Sequence, residues 1–186
     1  LPSLAVRSYA GVVVERGAVF AGFAGGRLVA IALQTGNVGW ESVVALPKGT
    51  TELERVTDVT SLPVVDGAQV CAVAFQGRVA CFDAQRGETA WARDVSSIAG
   101  IGIDPRFVYV TDDQSAVQAY DRRAGSALWK QDKLSGRWAS APLALGRYVI
   151  VGDYQGYVHV LSREDGAFVA RIATDGSPIQ VPPVAI

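Results

Sequence analysis

Residues 77–91 read "GRVACFDAQRGETAW", and how this stretch is read decides the fold. It opens on a turn glycine, runs through an apolar segment to Asp83, turns again at Gly87 and closes on a tryptophan. Three other stretches align with it without a gap. Residues 26–40, "GRLVAIALQTGNVGW", place Gly26 on Gly77, Gly36 on Gly87 and Trp40 on Trp91. Residues 115–129, "SAVQAYDRRAGSALW", carry Ser115 for the first glycine, and residues 156–170, "GYVHVLSREDGAFVA", carry Ala170 for the tryptophan. The four copies start at 26, 77, 115 and 156, so the steps are 51, 38 and 41.

A period near forty with several strands in each copy points to a β-propeller. The second copy with its lead-in spells one blade. Pro63–Val65 is a first strand closed by Asp66-Gly67, and Gln69–Phe75 a second closed by Gln76-Gly77. Arg78–Asp83 is a third turned by Gln85-Arg86-Gly87, and Glu88–Asp94 a fourth. Glycine at such tips supplies the positive φ of tight hairpins. The middle strands, "VCAVAF" and "VACF", are apolar throughout, as in strands covered on both faces. Trp40, Trp91 and Trp129 recur at one place in the outer strand, where each is expected to wedge between blades with its indole N–H on a polar partner. The expected class is therefore all-β, a propeller of four-stranded antiparallel blades. Blades are expected over 8–46, 59–95, 97–134 and 138–174, with 175–186 beginning a further one.

Composition narrows the function. The chain has 186 residues, 49% of them hydrophobic, with a formal charge of −1. Its 17 Lys and Arg are scattered, which argues against a nucleic-acid surface. No apolar run approaches the roughly 18 residues of a membrane-spanning helix. The chain begins at Leu1 and contains no Met, so a processed or excised piece is expected, with any anchor lost upstream. Cys71 and Cys81 lie on consecutive strands, and whether they face each other depends on hairpin register. They are expected as buried thiols packing as small apolar groups, and their spacing matches no zinc site.

The skeleton Gly-x-Val-x-Ala-x-Asp-x-x-x-Gly-x-x-x-Trp resembles the repeat of PQQ-like, quinoprotein-type propellers. "TELERVTDVTSLPVVDG", "AFQGRVACFDAQRGETAWARDV", "VYVTDDQSAVQAYDRRAG" and "YVIVGDYQGYVHVLSREDGAFVAR" resemble the BamB family of that class. The resemblance covers essentially the whole chain. It implies an eight-bladed ring of which this chain is about the C-terminal half. It also implies a periplasmic lipoprotein scaffold of the outer-membrane β-barrel assembly machinery, at the inner face of the outer membrane of a Gram-negative bacterium. The implied partner is a POTRA domain of BamA, with unfolded outer-membrane proteins as a second candidate and no cofactor. The membrane is reached only through a lipid anchor that this chain does not contain. The family's partner-binding positions, in segments matching "PSLAVRS" and "ERVTDV", fall here on Leu4, Val6, Arg7, Arg55 and Asp58. Val6 stands where leucine is commoner, and Thr60 where an acidic residue is common.

The repeat bears on the same rim. Arg7 and Asp58 are 51 residues apart, the gap-free offset of the first two copies, and the later copies put Ser96 and Arg137 at that point. The extra residues of the first step fall within Glu41–Arg55, a long loop expected at the same end of the ring, where recognition tends to sit. The plainer alternative is that Arg7 pairs with Asp58, and that Leu4 and Val6 are buried packing. Four blades leave two apolar faces open, so the piece is expected to self-associate or to pair with a missing half.

Enzyme chemistry finds little support. Read as a quinone- and calcium-dependent dehydrogenase, the quinoprotein resemblance would imply a catalytic Asp and a vicinal cysteine pair, and the pair is absent. Asp83 and Asp121 recur at one point of the repeat, as a strand-end device would. His159, the single histidine, sits mid-strand in an apolar run and is expected to be structural. Asp112, Asp113 and Asp153 precede hairpin tips, where Asp caps turns; a calcium site there is the weaker alternative. A generic peptide-binding propeller differs from the scaffold reading only in its partner.

Overall fold

The computed structural model describes residues 11–47, 50–51 and 56–185. Leu4, Val6, Arg7 and Arg55 lie outside them. The chain divides into two compact units, Leu1–Ile98 and Ala99–Ile186, and each holds two four-stranded antiparallel sheets in simple up-and-down order. In the first unit one sheet is β1 (Val12–Glu15), β2 (Ala18–Phe23), β3 (Arg27–Ala32) and β4 (Val38–Val43). The other is β5 (Val64–Asp66), β6 (Gln69–Val73), β7 (Arg78–Asp83) and β8 (Thr89–Asp94). The second unit pairs β9 (Gly100–Ile103), β10 (Phe107–Thr111), β11 (Val117–Asp121) and β12 (Ala127–Gln131) in one sheet. Its other sheet is β13 (Leu143–Leu145), β14 (Tyr148–Gly152), β15 (Tyr157–Ser162) and β16 (Phe168–Ala173). These are four propeller blades. Residues 175–185, where a further blade was expected to begin, carry no strand. A first strand needs a second to complete its ladder, and none is at hand among the described residues.

The repeat governs backbone detail as well as strand order. Each sheet carries a register shift between its third and fourth strands, after Ala30, Cys81, Ala119 and Val160. These residues are equivalent under the steps of 51, 38 and 41. Just beyond, the turn glycine donates to the carbonyl four residues back in every copy: Gly36 to Ala32, Gly87 to Asp83, Gly125 to Asp121 and Gly166 to Ser162. Asp83 Oδ1 also accepts from the Gln85 and Arg86 amides, and Asp121 Oδ1 from Arg123 and Ala124. The Arg86 amide is the chief cause that holds the Asp83 carboxyl below the usual carboxylate range. Both aspartates are therefore turn devices, as the repeat suggested.

Trp40 and Trp129 wedge as expected. Trp40 Nε1 donates across to the Ala84 carbonyl of the neighbouring sheet at 3.1 Å, and Trp129 Nε1 to that of Arg163 at 2.9 Å. Each indole lies so close to a turn glycine that a Cβ on Gly87 or Gly166 would sit 2.6 or 2.4 Å from the ring. The core of the first unit gathers Phe20, Leu28, Val44, Val70 and Phe82 around the small Ala72, Ala74 and Ala80. Strand β7 is buried over Val79–Phe82 on both faces, which explains its unbroken apolar run. Phe107, Tyr109, Val149, Val151 and Leu161 form the corresponding core of the second unit.

The cysteines require a correction. Cys71 and Cys81 are not thiols. They stand directly opposite each other on β6 and β7, fully buried, and form a disulfide. The Gln76-Gly77 tip sets that register, which residue spacing alone left open.

Candidate functional site

The described parts of the connection from β4 to β5 form a rim over the hairpin tips of the first unit. Its start is pinned by the amides of Val44 and Ala45, which donate to the Gly26 carbonyl at 2.8 and 3.2 Å. No Cβ fits at Gly26, since it would meet the Ala45 carbonyl oxygen at 2.2 Å, and φ there is +70°. Further along, Asp58 bridges Ala24, and its Oδ1 accepts from the Gly25 amide at 2.9 Å. Its carbonyl accepts from Phe75 N at 2.9 Å, while Val59 N donates to Phe23 O. Asp58 thus ties together the tips of β2–β3 and β6–β7. It is only 3% exposed, and its neighbours Thr57 and Thr60 are buried too. A carboxylate so placed shapes the rim through Gly25 more than it displays charge. Strand β6 ends at Val73, before the expected Phe75, because Asp58 takes the Phe75 amide.

The same device recurs where the repeat puts it. Ser96 Oγ accepts from Gln76 N at 2.7 Å. In the second unit, 79 residues on from Asp58, the Arg137 carbonyl accepts from Tyr154 N as that of Asp58 does from Phe75 N. The Arg137 side chain turns inward. Its Nε lies 2.6 Å from Asp153 Oδ2, and His159 Nε2 is 2.7 Å from the same oxygen. Asp153 Oδ1 accepts from the Gln155 and Tyr157 amides. Burial alone would raise the Asp153 carboxyl, but the bonds from His159, Tyr157, Arg137 and Gln155 outweigh it and hold the group below the usual carboxylate range. Asp153 is therefore a turn cap, as expected, and also the centre of a buried ion cluster. Asp112 caps its own turn through the Gln114 and Ala116 amides. Among the described residues no group of three or more His, Cys, Asp or Glu could hold a metal ion.

Beside Arg137 stands a residue that the sequence reading passed over. Trp138 is 75% exposed and adopts a left-handed φ of 54°. That conformation is uncommon for a bulky side chain. The loop around it is fixed by Arg137 N to Leu134 O and by Ala139 N to Ser115 Oγ. Tyr154, also half-exposed, lies on the adjoining tip. The available signal was that Trp138 is the one tryptophan that falls outside the wedge position of the repeat.

Sequence comparison matches the chain over residues 1–131, and again over 113–185, to the family described as outer membrane protein assembly factor BamB. The chain belongs to the BamB family. It is 53% identical over 167 residues to the BamB of Burkholderia pseudomallei, covering 90% of this chain and 44% of that protein. It is 48% identical over 183 residues to the BamB of Bordetella pertussis, covering 98% and 47%. The chain thus spans about half the length of these relatives. The crystal structure of BamB from Moraxella catarrhalis superposes with a TM-score of 0.90 at 28% identity, over 100% of this chain and 56% of that one. The propeller expectation is therefore correct, and so is the family resemblance.

Proposed function

We propose that this chain is part of a non-enzymatic scaffold of the outer-membrane β-barrel assembly machinery, docking a POTRA domain of BamA through the rim above. The observation that carries it is Asp58, a position implied by the family resemblance, which ties together two hairpin tips. Leu4, Val6, Arg7 and Arg55 belong to the same proposed surface, and Asp58 keeps its shape. In the second unit, Trp138 is an exposed aromatic on a rigid loop equivalent in the repeat, the kind of residue that dominates many interfaces. Unfolded outer-membrane proteins are the second class of partner proposed.

The Cys71–Cys81 disulfide supports a periplasmic setting, because such bonds form and persist in oxidising compartments. Among the described residues no helix is long and apolar enough to cross a membrane. Photo-cross-linking tests the docking. A photoreactive residue at exposed Gln76, on the β6–β7 tip, should capture BamA. The same residue at exposed Arg86, on the opposite end of that sheet, should not. Equal capture from both ends would count against the rim.

A further inference from the structure

The second unit contains an open pocket of about 470 Å³ walled by the β12–β13 connection, β15 and β16, a size suited to a small ligand or a short peptide. Lys133, Arg137, His159 and Arg171 line it together with the apolar Leu134 and Phe168, and no lining residue is acidic. Asp153 lies behind the wall and neutralises Arg137. Neither Lys133 nor Arg171 makes an ion pair among the described residues. Arg171 stacks 3.7 Å from the centre of the Tyr157 ring, which fixes its direction.

The repeat has no structural need for this cluster. In the second copy, 79 residues earlier, Arg137, Asp153, His159 and Arg171 become Asp58, Ala74, Ala80 and Ala92. Ala74 and Ala80 are fully buried, so an equivalent sheet packs with methyl groups where this one holds ions. The third copy is intermediate: Asp112 Oδ2 accepts from Gln118 Nε2 at 2.9 Å and pairs with Lys130 at 3.3 Å. Buried ion clusters add little stability over apolar packing. Beside a cavity they mark a candidate site.

His159 supplies the second, independent sign. It is 2% exposed, and its Nδ1 has no hydrogen-bond partner. With Nε2–H donated to the Asp153 carboxylate, the neutral ring leaves Nδ1 as an acceptor. A buried acceptor without a donor is costly, and an amide N–H is a donor of suitable strength.

We propose that this cavity binds a peptide carboxylate, with the charge held by Lys133 and Arg171, a peptide N–H donated to His159 Nδ1, and an adjoining apolar side chain against Leu134 and Phe168. The carboxylate can come from a chain terminus or from an acidic side chain. This site does not depend on docking to BamA, and its test uses no BamA.

Fluorescence anisotropy of the full chain with three labelled peptides tests it: Ala-Leu-Phe as the free acid, Ala-Leu-Phe amide, and Ala-Glu-Leu-Phe amide. The free acid or the glutamate peptide should saturate, and the plain amide should not. Binding of the free acid alone assigns a chain terminus, and binding of the glutamate peptide assigns an acidic side chain. The double variant Lys133→Gln/Arg171→Gln alters exposed residues only. It should keep the melting temperature and bind roughly tenfold or more weakly, as loss of charge-assisted contacts implies. In the wild-type chain the His159 imidazole nitrogen resonances should shift on saturation. Equal binding of acid and plain amide, wild-type affinity in the double variant, or no saturation by any peptide would overturn the proposal.

Discussion

Asp153 shows how one residue ties local geometry to pH response. Its carboxylate is fully buried and held by two side chains and two amides, with its folded pKa below the ordinary value. A lowered folded pKa means that the unfolded chain binds the extra proton first as pH falls. The stabilisation is complete above the ordinary carboxylate range and is lost as pH drops through the folded value. Asp153→Asn should therefore cost about 2–4 kcal/mol at neutral pH, at the lower end for a buried pair because Arg137 is partly exposed. The variant should also lose less of its remaining stability on acidification. Urea melts at pH 7 and at about pH 2.5, below the ordinary carboxylate value, check both, and wild-type and variant losing equal stability between the two would contradict the assignment. At this scale the sequence was partly legible. The role of Asp153 at a turn and the mid-strand place of His159 could be read from position. Their pairing with Arg137 could not, because it needs the β14–β15 tip folded back and a loop brought in from before the sheet.

Hairpins are the elements in which the repeat was most readable, since glycine, Asp and Trp each mark a definite place in the turn. Gly87 combines a φ of +71° with contact against the Trp40 ring, whereas Gly17, at +77°, has open space around it. Gly87→Ala should lower stability by roughly 1 kcal/mol for backbone strain, plus about 1–3 kcal/mol for displacing the indole. Gly17→Ala should show the first cost alone. Thermal melts of the two variants check the difference, and equal losses would mean that the wedge is loose. The disulfide is the feature of this scale that escaped, because composition does not determine which residues of β6 and β7 stand opposite. Replacing both cysteines, Cys71→Ala/Cys81→Ala, opens a short loop and should cost about 2–3 kcal/mol. Denaturant midpoints under non-reducing conditions give the value directly, and an unchanged midpoint would contradict it.

At the scale of the whole molecule, the four-blade reading rested on self-similarity and held in the structure, while the partner surface rested on family resemblance. Its residues Leu4, Val6, Arg7 and Arg55 lie outside the described part of the chain, and buried Asp58 acts through Gly25. Sequence cannot tell a carboxylate that shapes a loop from one that faces a partner, since both favour the same residue at the same spacing. Apolar side chains left exposed in the second unit, Leu145, Val169 and Ile172 among them, favour self-association. Light scattering at micromolar concentration should report a species larger than the monomer, and a stable monomer would refute this. Docking through the rim is the central claim, and a calorimetric titration of the chain with the POTRA domains of BamA tests it most directly. The wild-type chain should bind, and Arg7→Glu should bind roughly tenfold more weakly at an unchanged melting temperature, as for a charge reversed within an interface. Equal affinity of the two proteins for BamA would contradict it.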